Sequence, residues 1–189
     1  VTVADEDQDQ ETDMNEMAKL SGFEHIEHID IPLPKEASKE LFFQTDEDDE
    51  RVWMPISDNV HIRPLLFNVV QGTWCNIVKA QGEGLVGRHR HPAPVLGYTL
   101  EGTWGYLEGD WIGRAGSFIY EPAGETHTLV VHPDEGHMKV LFHNMGPILY
   151  VDEKGEQTGY EDVFTRIAMY KKHCISSGLG EEFVDNLCR

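Results

Sequence analysis

His89 and His91 flank a single arginine, and His127 follows after a segment punctuated by Gly102, Gly116, Pro122 and Gly124. Residues two apart on a strand point to the same face, so His89 and His91 can aim two imidazoles at one point while Arg90 faces away. His127 comes directly after the turn-forming run Glu121-Pro122-Ala123-Gly124-Glu125-Thr126 and leads into another strand. Three imidazoles on rigid strands suit a borderline metal such as iron, zinc, nickel or copper. Two other pairs, His25 with His28 and His132 with His137, read as no second centre. His25 and His28, three apart on a strand-like run, point to opposite faces, and His132 and His137 fall in a turn and are expected in solvent.

The elements that must position these rings read as strands. Residues 60–65 and 73–80 alternate, and Cys75 sits among apolar neighbours as a core thiol. After Gly84 come 89–91 and 96–100. Residues 103–107 and Trp111-Ile112 predict a hairpin turning at Glu108-Gly109-Asp110. Residues 117–120, 128–131 and 138–142 supply three more strands. Many short strands at intervals of about ten residues, broken by glycine, predict an all-β sandwich or barrel. In the last strand, Met138, Val140 and Phe142 share one face, taken as inward. Beside a metal that face would wall an apolar pocket, which is expected to be lined by Val95, Val140 and Phe142; without a metal it would be core.

The chain has 189 residues and a formal net charge of -19. That charge opposes binding to nucleic acid or to anionic membrane surfaces. No apolar run approaches a membrane span, and the acidic first residues lack the apolar core of a signal peptide. Cys75, Cys174 and Cys188 are odd in number, scattered and without a C-x-x-C spacing, which fits reduced thiols in a cytoplasmic protein. The expected organisation is a disordered acidic tail over 1–16, which holds seven acids, an N-terminal arm over 17–60, a barrel over 61–160 and a helical extension over 161–189. In the arm, 23–31 reads as strand-like until Pro32 and Pro34 break it. The acidic run 46–50 is an expected exposed loop without the glycine-broken pattern of a calcium site. Val163, Ile167, Tyr170 and Cys174 follow helical spacing that Ser176-Ser177-Gly178 stops, and a second short helix holds Phe183 and Leu187. Both helices are expected to pack on the barrel or on a second subunit rather than carry chemistry.

The full spacing is more specific than three histidines. From His89 it reads H-x-H, three residues, Val95, six residues, Gly102; then Gly116, five residues, Pro122, one residue, Gly124, two residues, His127. This resembles the two motifs of the cupin superfamily nearly position for position. The resemblance implies a double-stranded β-helix, a jelly-roll barrel, to which the short C-terminal helices are additions outside the minimal fold. The family's glutamate ligand falls on Val95, which cannot bind metal, and its closing asparagine falls on Val131. The glycine opening the first motif is displaced, with Gly82 and Gly84 on either side of its usual place. Residues 89–102, Gly146-Pro147 and 159–166 look like the 2,4'-dihydroxyacetophenone dioxygenase family of cupins, and more distantly like acetylacetone-cleaving dioxygenase. That likeness implies non-haem iron(II) held by His89, His91 and His127, with zinc, nickel or manganese as alternatives, and oxidative cleavage of a carbon–carbon bond beside a carbonyl. Three neutral ligands leave an iron(II) site its full +2 charge, which favours a small hydroxyketone or dicarbonyl bound as an anion. The implied partners are that substrate and dioxygen, with assembly into a homodimer or homotetramer. No acid–base residue is assigned; Glu101 and Glu121 read as structural or exposed. The alternatives are a non-catalytic metal-binding sensor cupin and a metal-dependent isomerase or hydrolase.

Overall fold

The computed structural model describes residues 22–23, 25–27, 29–45, 49–82 and 84–189. The acidic tail at 1–16 lies outside them. The chain divides into two units, Val1–Ala37 and Ser38–Arg189. In the first, the described residues form neither strand nor helix, and Phe23, Ile26, Ile29 and Ile31 are exposed. The alternation at 23–31 is therefore not realised as a strand. The local backbone bond is that of a turn, with the Ile26 N–H donating to the Phe23 carbonyl at 2.9 Å.

The second unit holds eleven strands: β1 Met54–Ser57, β2 Val60–Asn68, β3 Thr73–Gln81, β4 Leu85–Arg90, β5 Val95–Tyr106, β6 Gly113–Arg114, β7 Phe118–Glu121, β8 Thr126–Val131, β9 His137–Asn144, β10 Ile148–Val151 and β11 Gln157–Glu161. Neighbours run in the order β1-β2-β3-β9-β5-β8-β4-β10-β11, all antiparallel, with β6 and β7 also paired to β5. Regular structure begins inside the segment read as an arm, with a 3-10 turn at Glu50–Val52 and then β1, which pairs with β2. The expected return strand at Trp111-Ile112 lies instead at Gly113–Arg114. Gly113 lies against Trp104, where a Cβ would come within 2.7 Å of the indole nitrogen.

β5 is the strand on which the barrel turns. Its first part pairs with β7 and β9, its last part with β6 and β8, and its ladder with β9 is irregular between Thr99 and Glu101. Gly102 sits at this corner with φ +73°, and a Cβ there would lie 2.0 Å from the His137 carbonyl oxygen. Only glycine combines that dihedral with so close a backbone approach. Gly102→Ala is expected to cost about 2 kcal/mol or more and to lower the melting temperature by about 5 °C or more. A thermal melt superimposable on that of the unaltered protein would remove the corner argument.

The core is built on Trp74, Trp104, Phe67 and Tyr170, all essentially inaccessible to solvent. The Trp104 indole donates to Thr99 Oγ1 at 2.8 Å and meets Tyr106, Trp111 and Phe142 edge-on. After β11 comes α1, Val163–Ser177. Asp162 caps it by accepting from the Thr165 N–H, while the Thr165 hydroxyl accepts from the Asp162 N–H, both at 2.7 Å. Gly178 ends it in the left-handed conformation. A single turn, α2, covers Glu182–Asp185, and Leu187 is buried just beyond it. No helix of the described residues is long and apolar enough to cross a membrane.

Candidate metal centre

The site is assembled where β4 and β8 pair. His89 lies directly opposite His127 in that ladder, which carries an irregularity between Val86 and His89. The extra residue there lets both Val86 and His89 face the interior, although they are three apart. His91 stands one residue past the end of β4. Its backbone stays tied to the turn before His127: the His91 N–H donates to the Glu125 carbonyl at 3.2 Å, and the Gly124 N–H donates to the His91 carbonyl at 2.7 Å. That tie explains the glycine in the turn, whose φ is +95°. Arg90 is exposed, as the alternation predicts.

The three imidazoles converge. One ring nitrogen from each of His89, His91 and His127 lies within 4.8 Å of the others, and all three residues are buried. The ring centres are 4.7–5.2 Å apart. His89 Nδ1 is 2.7 Å from the Gly87 carbonyl; donating there fixes the tautomer and leaves Nε2 as a free lone pair. His91 Nδ1 and both nitrogens of His127 are buried without a hydrogen-bond partner. Burial first, and then the neighbouring imidazoles, push His91 down to about 3; burial first, and then His89, do the same to His127. The rings are therefore neutral, which is the form that donates to a metal. Buried, neutral, partnerless nitrogens aimed at one point fit a borderline divalent cation.

Glu121, read from the sequence as structural or exposed, is buried. It is 1% exposed, not at the surface. Its Oε2 lies 3.6 Å from Nε2 of both His91 and His127 and has no hydrogen-bond partner. With both rings neutral, these contacts are polar approaches rather than ion pairs. Tyr106 holds the other carboxylate oxygen through a short hydrogen bond from its hydroxyl, and its ring stacks on His127 at 3.8 Å between centres. Burial, partly offset by the Tyr106 hydrogen bond, raises Glu121 to about 7; a cation held by the histidines would act in the opposite sense. The position that lacks the expected carboxylate explains the placement. Val95 on β5 is the register partner of Glu121 on β7, so the carboxylate approaches from across the strand pair. Glu101, by contrast, is exposed and pairs with Lys139 at 3.2 Å.

His89 and His91 open onto a cavity holding about 70 Å³, room for several waters or a small organic molecule. Val95 and Phe142 line it as expected. Val140 does not. Its face is inward, but it is wholly buried in the hydrophobic core, paired across β3–β9 with Val78, which does line the cavity. Apolar walls come from Val86, Leu129, Ile148 and others, and polar groups from Asn76, Asn144, Tyr106, Tyr150 and Arg166. Arg166 belongs to α1, so the helix expected to carry no chemistry contributes a guanidinium to the cavity. His132 and His137 lie away from the site, with His132 beside Asp134 at 3.4 Å and His137 exposed. Burial raises Cys75 to about 11, which removes it as a nucleophile.

Residues 42–149 match the model of the ChrR cupin-like domain. An RmlC-like cupin protein from Ralstonia eutropha is 31% identical, with 67% of this chain and 83% of that one covered and a TM-score of 0.63. An acetylacetone dioxygenase from Acinetobacter johnsonii is 14% identical over 75% of this chain and 97% of its own, with a TM-score of 0.63. A putative acetylacetone dioxygenase from Methylibium petroleiphilum is 18% identical over 73% and 99%, with a TM-score of 0.64. At those identities the two dioxygenases share the fold. No curated protein matches the chain.

Proposed function

The chain belongs to the ChrR cupin-like domain family, and from that premise we propose that it is a non-haem iron(II) dioxygenase of small ketones. It cleaves a carbon–carbon bond next to a carbonyl in a hydroxyketone or dicarbonyl, 2,4'-dihydroxyacetophenone being one candidate. The observation that carries this is the donor set: three buried neutral imidazoles converge, two of them, His89 and His91, lining a small, largely apolar cavity in which the wall position Val95 offers no ligand. The fold shared with two acetylacetone dioxygenases supports the reading.

His89, His91 and His127 would hold the ion. Iron(II) there would supply Lewis acidity toward a chelating enolate and one-electron chemistry toward dioxygen. The neutral rings themselves cancel none of the ion's charge, which favours a substrate bound as a monoanion. Glu121 Oε2 stands where it can accept the proton given up as the ketone becomes an enolate, and Tyr106 keeps that carboxylate turned inward. Val95, Phe142 and Leu129 exclude bulk water from the reacting carbon. A hydroxyketone plus dioxygen gives two carboxylic acids, and a β-diketone gives an acid and a dicarbonyl, so no external reductant is consumed. The partners in this proposal are the ketone and dioxygen, in a homodimer or homotetramer with reduced thiols in the cytoplasm.

The test is an oxygen electrode with iron-loaded protein against hydroxyacetophenones and β-diketones. One dioxygen should be consumed per ketone cleaved, and labelled dioxygen should leave one labelled atom in each product. Turnover without oxygen uptake would move the isomerase or hydrolase reading ahead.

A second reading has its own observation. In a tetrahedral zinc site the donor atoms lie about 3.4 Å apart, given metal–ligand bonds of about 2.1 Å. The 3.6 Å separations of Glu121 Oε2 from two imidazole nitrogens match that spacing. A closed four-ligand site would suit a sensor cupin rather than an enzyme.

A further inference from the structure

We propose that Arg166 is a specificity residue that reads a carboxylate on the substrate, so the ketone taken by this cavity is a small oxo acid. The proposal deepens the dioxygenase reading and rests on it for the reaction, though not for the binding. Arg166 is 5% exposed and lines the same cavity as His89 and His91. A guanidinium stays charged under all ordinary conditions and presents five donors in a rigid fork. Only Nη2 is engaged, by a short ion pair to Glu161; Nε and Nη1 are buried without partners. A buried charged donor left without an acceptor is costly, so partnerless N–H groups beside a ligand cavity point to an acceptor on the ligand.

The surroundings make this a built site. The reciprocal cap between Asp162 and Thr165 fixes the first turn of α1 and, with it, the Arg166 backbone, whose N–H donates to the Asp162 carbonyl at 2.9 Å. The Tyr150 hydroxyl donates to Glu161 Oε1 at 3.3 Å and holds that carboxylate against the guanidinium. Tyr150 also lies 6.0 Å, centre to centre, from the His89 ring, so the Arg166 network and the metal centre share one wall. Ile148 and Phe142 line the cavity as well and offer an apolar path for the methylenes joining ketone to carboxylate. Planar carboxylate geometry matches the fork better than a lone hydroxyl or carbonyl does.

The probes are succinylacetone, a β-diketone with its carboxylate two methylenes away, and heptane-2,4-dione, its neutral counterpart. Both are titrated anaerobically by calorimetry into iron(II)-loaded protein, so binding is read without turnover. Succinylacetone is expected to bind about tenfold tighter or more, the worth of a charge-assisted hydrogen bond. Arg166→Lys, which keeps a charge but loses the fork, should lower the ratio, and the paired change Arg166→Gln with Glu161→Gln, which leaves no orphaned charge, should bring it close to one while heptane-2,4-dione affinity holds. General damage would weaken both ligands together. A wild-type ratio near one, or a preference that survives in the paired variant, overturns the proposal. Intact carboxylate preference without oxygen consumption would reject the dioxygenase reading and leave the anchor standing.

Discussion

His127→Gln is expected to purify folded but unable to retain one equivalent of metal, with affinity at least about 100-fold below that of the unaltered protein, since losing even a group that only hydrogen-bonds a ligand costs about 10–100-fold. The ring lies directly opposite His89 in the β4–β8 ladder and is 1% exposed, with both nitrogens partnerless. Two imidazoles remain after the change, too few to hold a labile divalent ion against water. Glutamine rather than alanine is the informative substitution because the His127 ring stacks on Tyr106 at 3.8 Å. An alanine would open a cavity there and destabilise the barrel independently of metal. The second readout is thermal. Metal that binds only the native state at about 1,000 times its Kd stabilises by about 4 kcal/mol, or about 8–16 °C for a chain of this size. That rise should vanish in His127→Gln. Full occupancy, or an undiminished thermal shift on adding iron(II) or zinc, would take His127 out of the metal site.

The histidines were legible because their chemistry depends on two short-range facts, a spacing of two on a strand and a glycine turn ahead of the third ring. What the sequence hid depends on pairings between distant segments. The burial of Glu121 is not legible in the pattern because β7 presents its aromatic residues outward: Phe118 and Tyr120 are 65% and 57% exposed, while Glu121 is 1% exposed. A hydrophobicity pattern read by itself turns that strand over, and one step of register flips every side chain to the other face. The missing carboxylate at Val95 was a usable signal, since its partner across β5–β7 supplies one. Arg166 left a fainter trace. It falls on the stripe formed by Val163, Tyr170 and Cys174, all buried in α1, and a charged residue on a buried stripe needs a reason. Val140 erred in the opposite direction. Alternation gave its face correctly, but whether an inward residue meets a cavity or a neighbouring side chain depends on packing, which strand periodicity does not encode.

Glu121→Gln is expected to keep its metal and lose about 100-fold or more in turnover with any ketone the protein cleaves, the range for removing a positioned proton acceptor. Glutamine preserves shape and can still accept from the Tyr106 hydroxyl, so the stacking on His127 and the wall beside Val95 should survive. What it removes is the anionic character of Oε2, the oxygen that stands 3.6 Å from two imidazole nitrogens with no partner of its own. A carboxylate can take up a proton as the substrate forms its enolate; an amide oxygen cannot. Anaerobic binding of an already acidic β-diketone should be affected far less than turnover of a hydroxyketone, because the former enters with its proton largely lost. The metal content decides between the two readings of the site. Full iron with little turnover places Glu121 at the proton and leaves the cavity open to substrate. Loss of metal comparable to that in His127→Gln would make Glu121 a fourth ligand, close the site and favour the zinc-holding sensor over the dioxygenase.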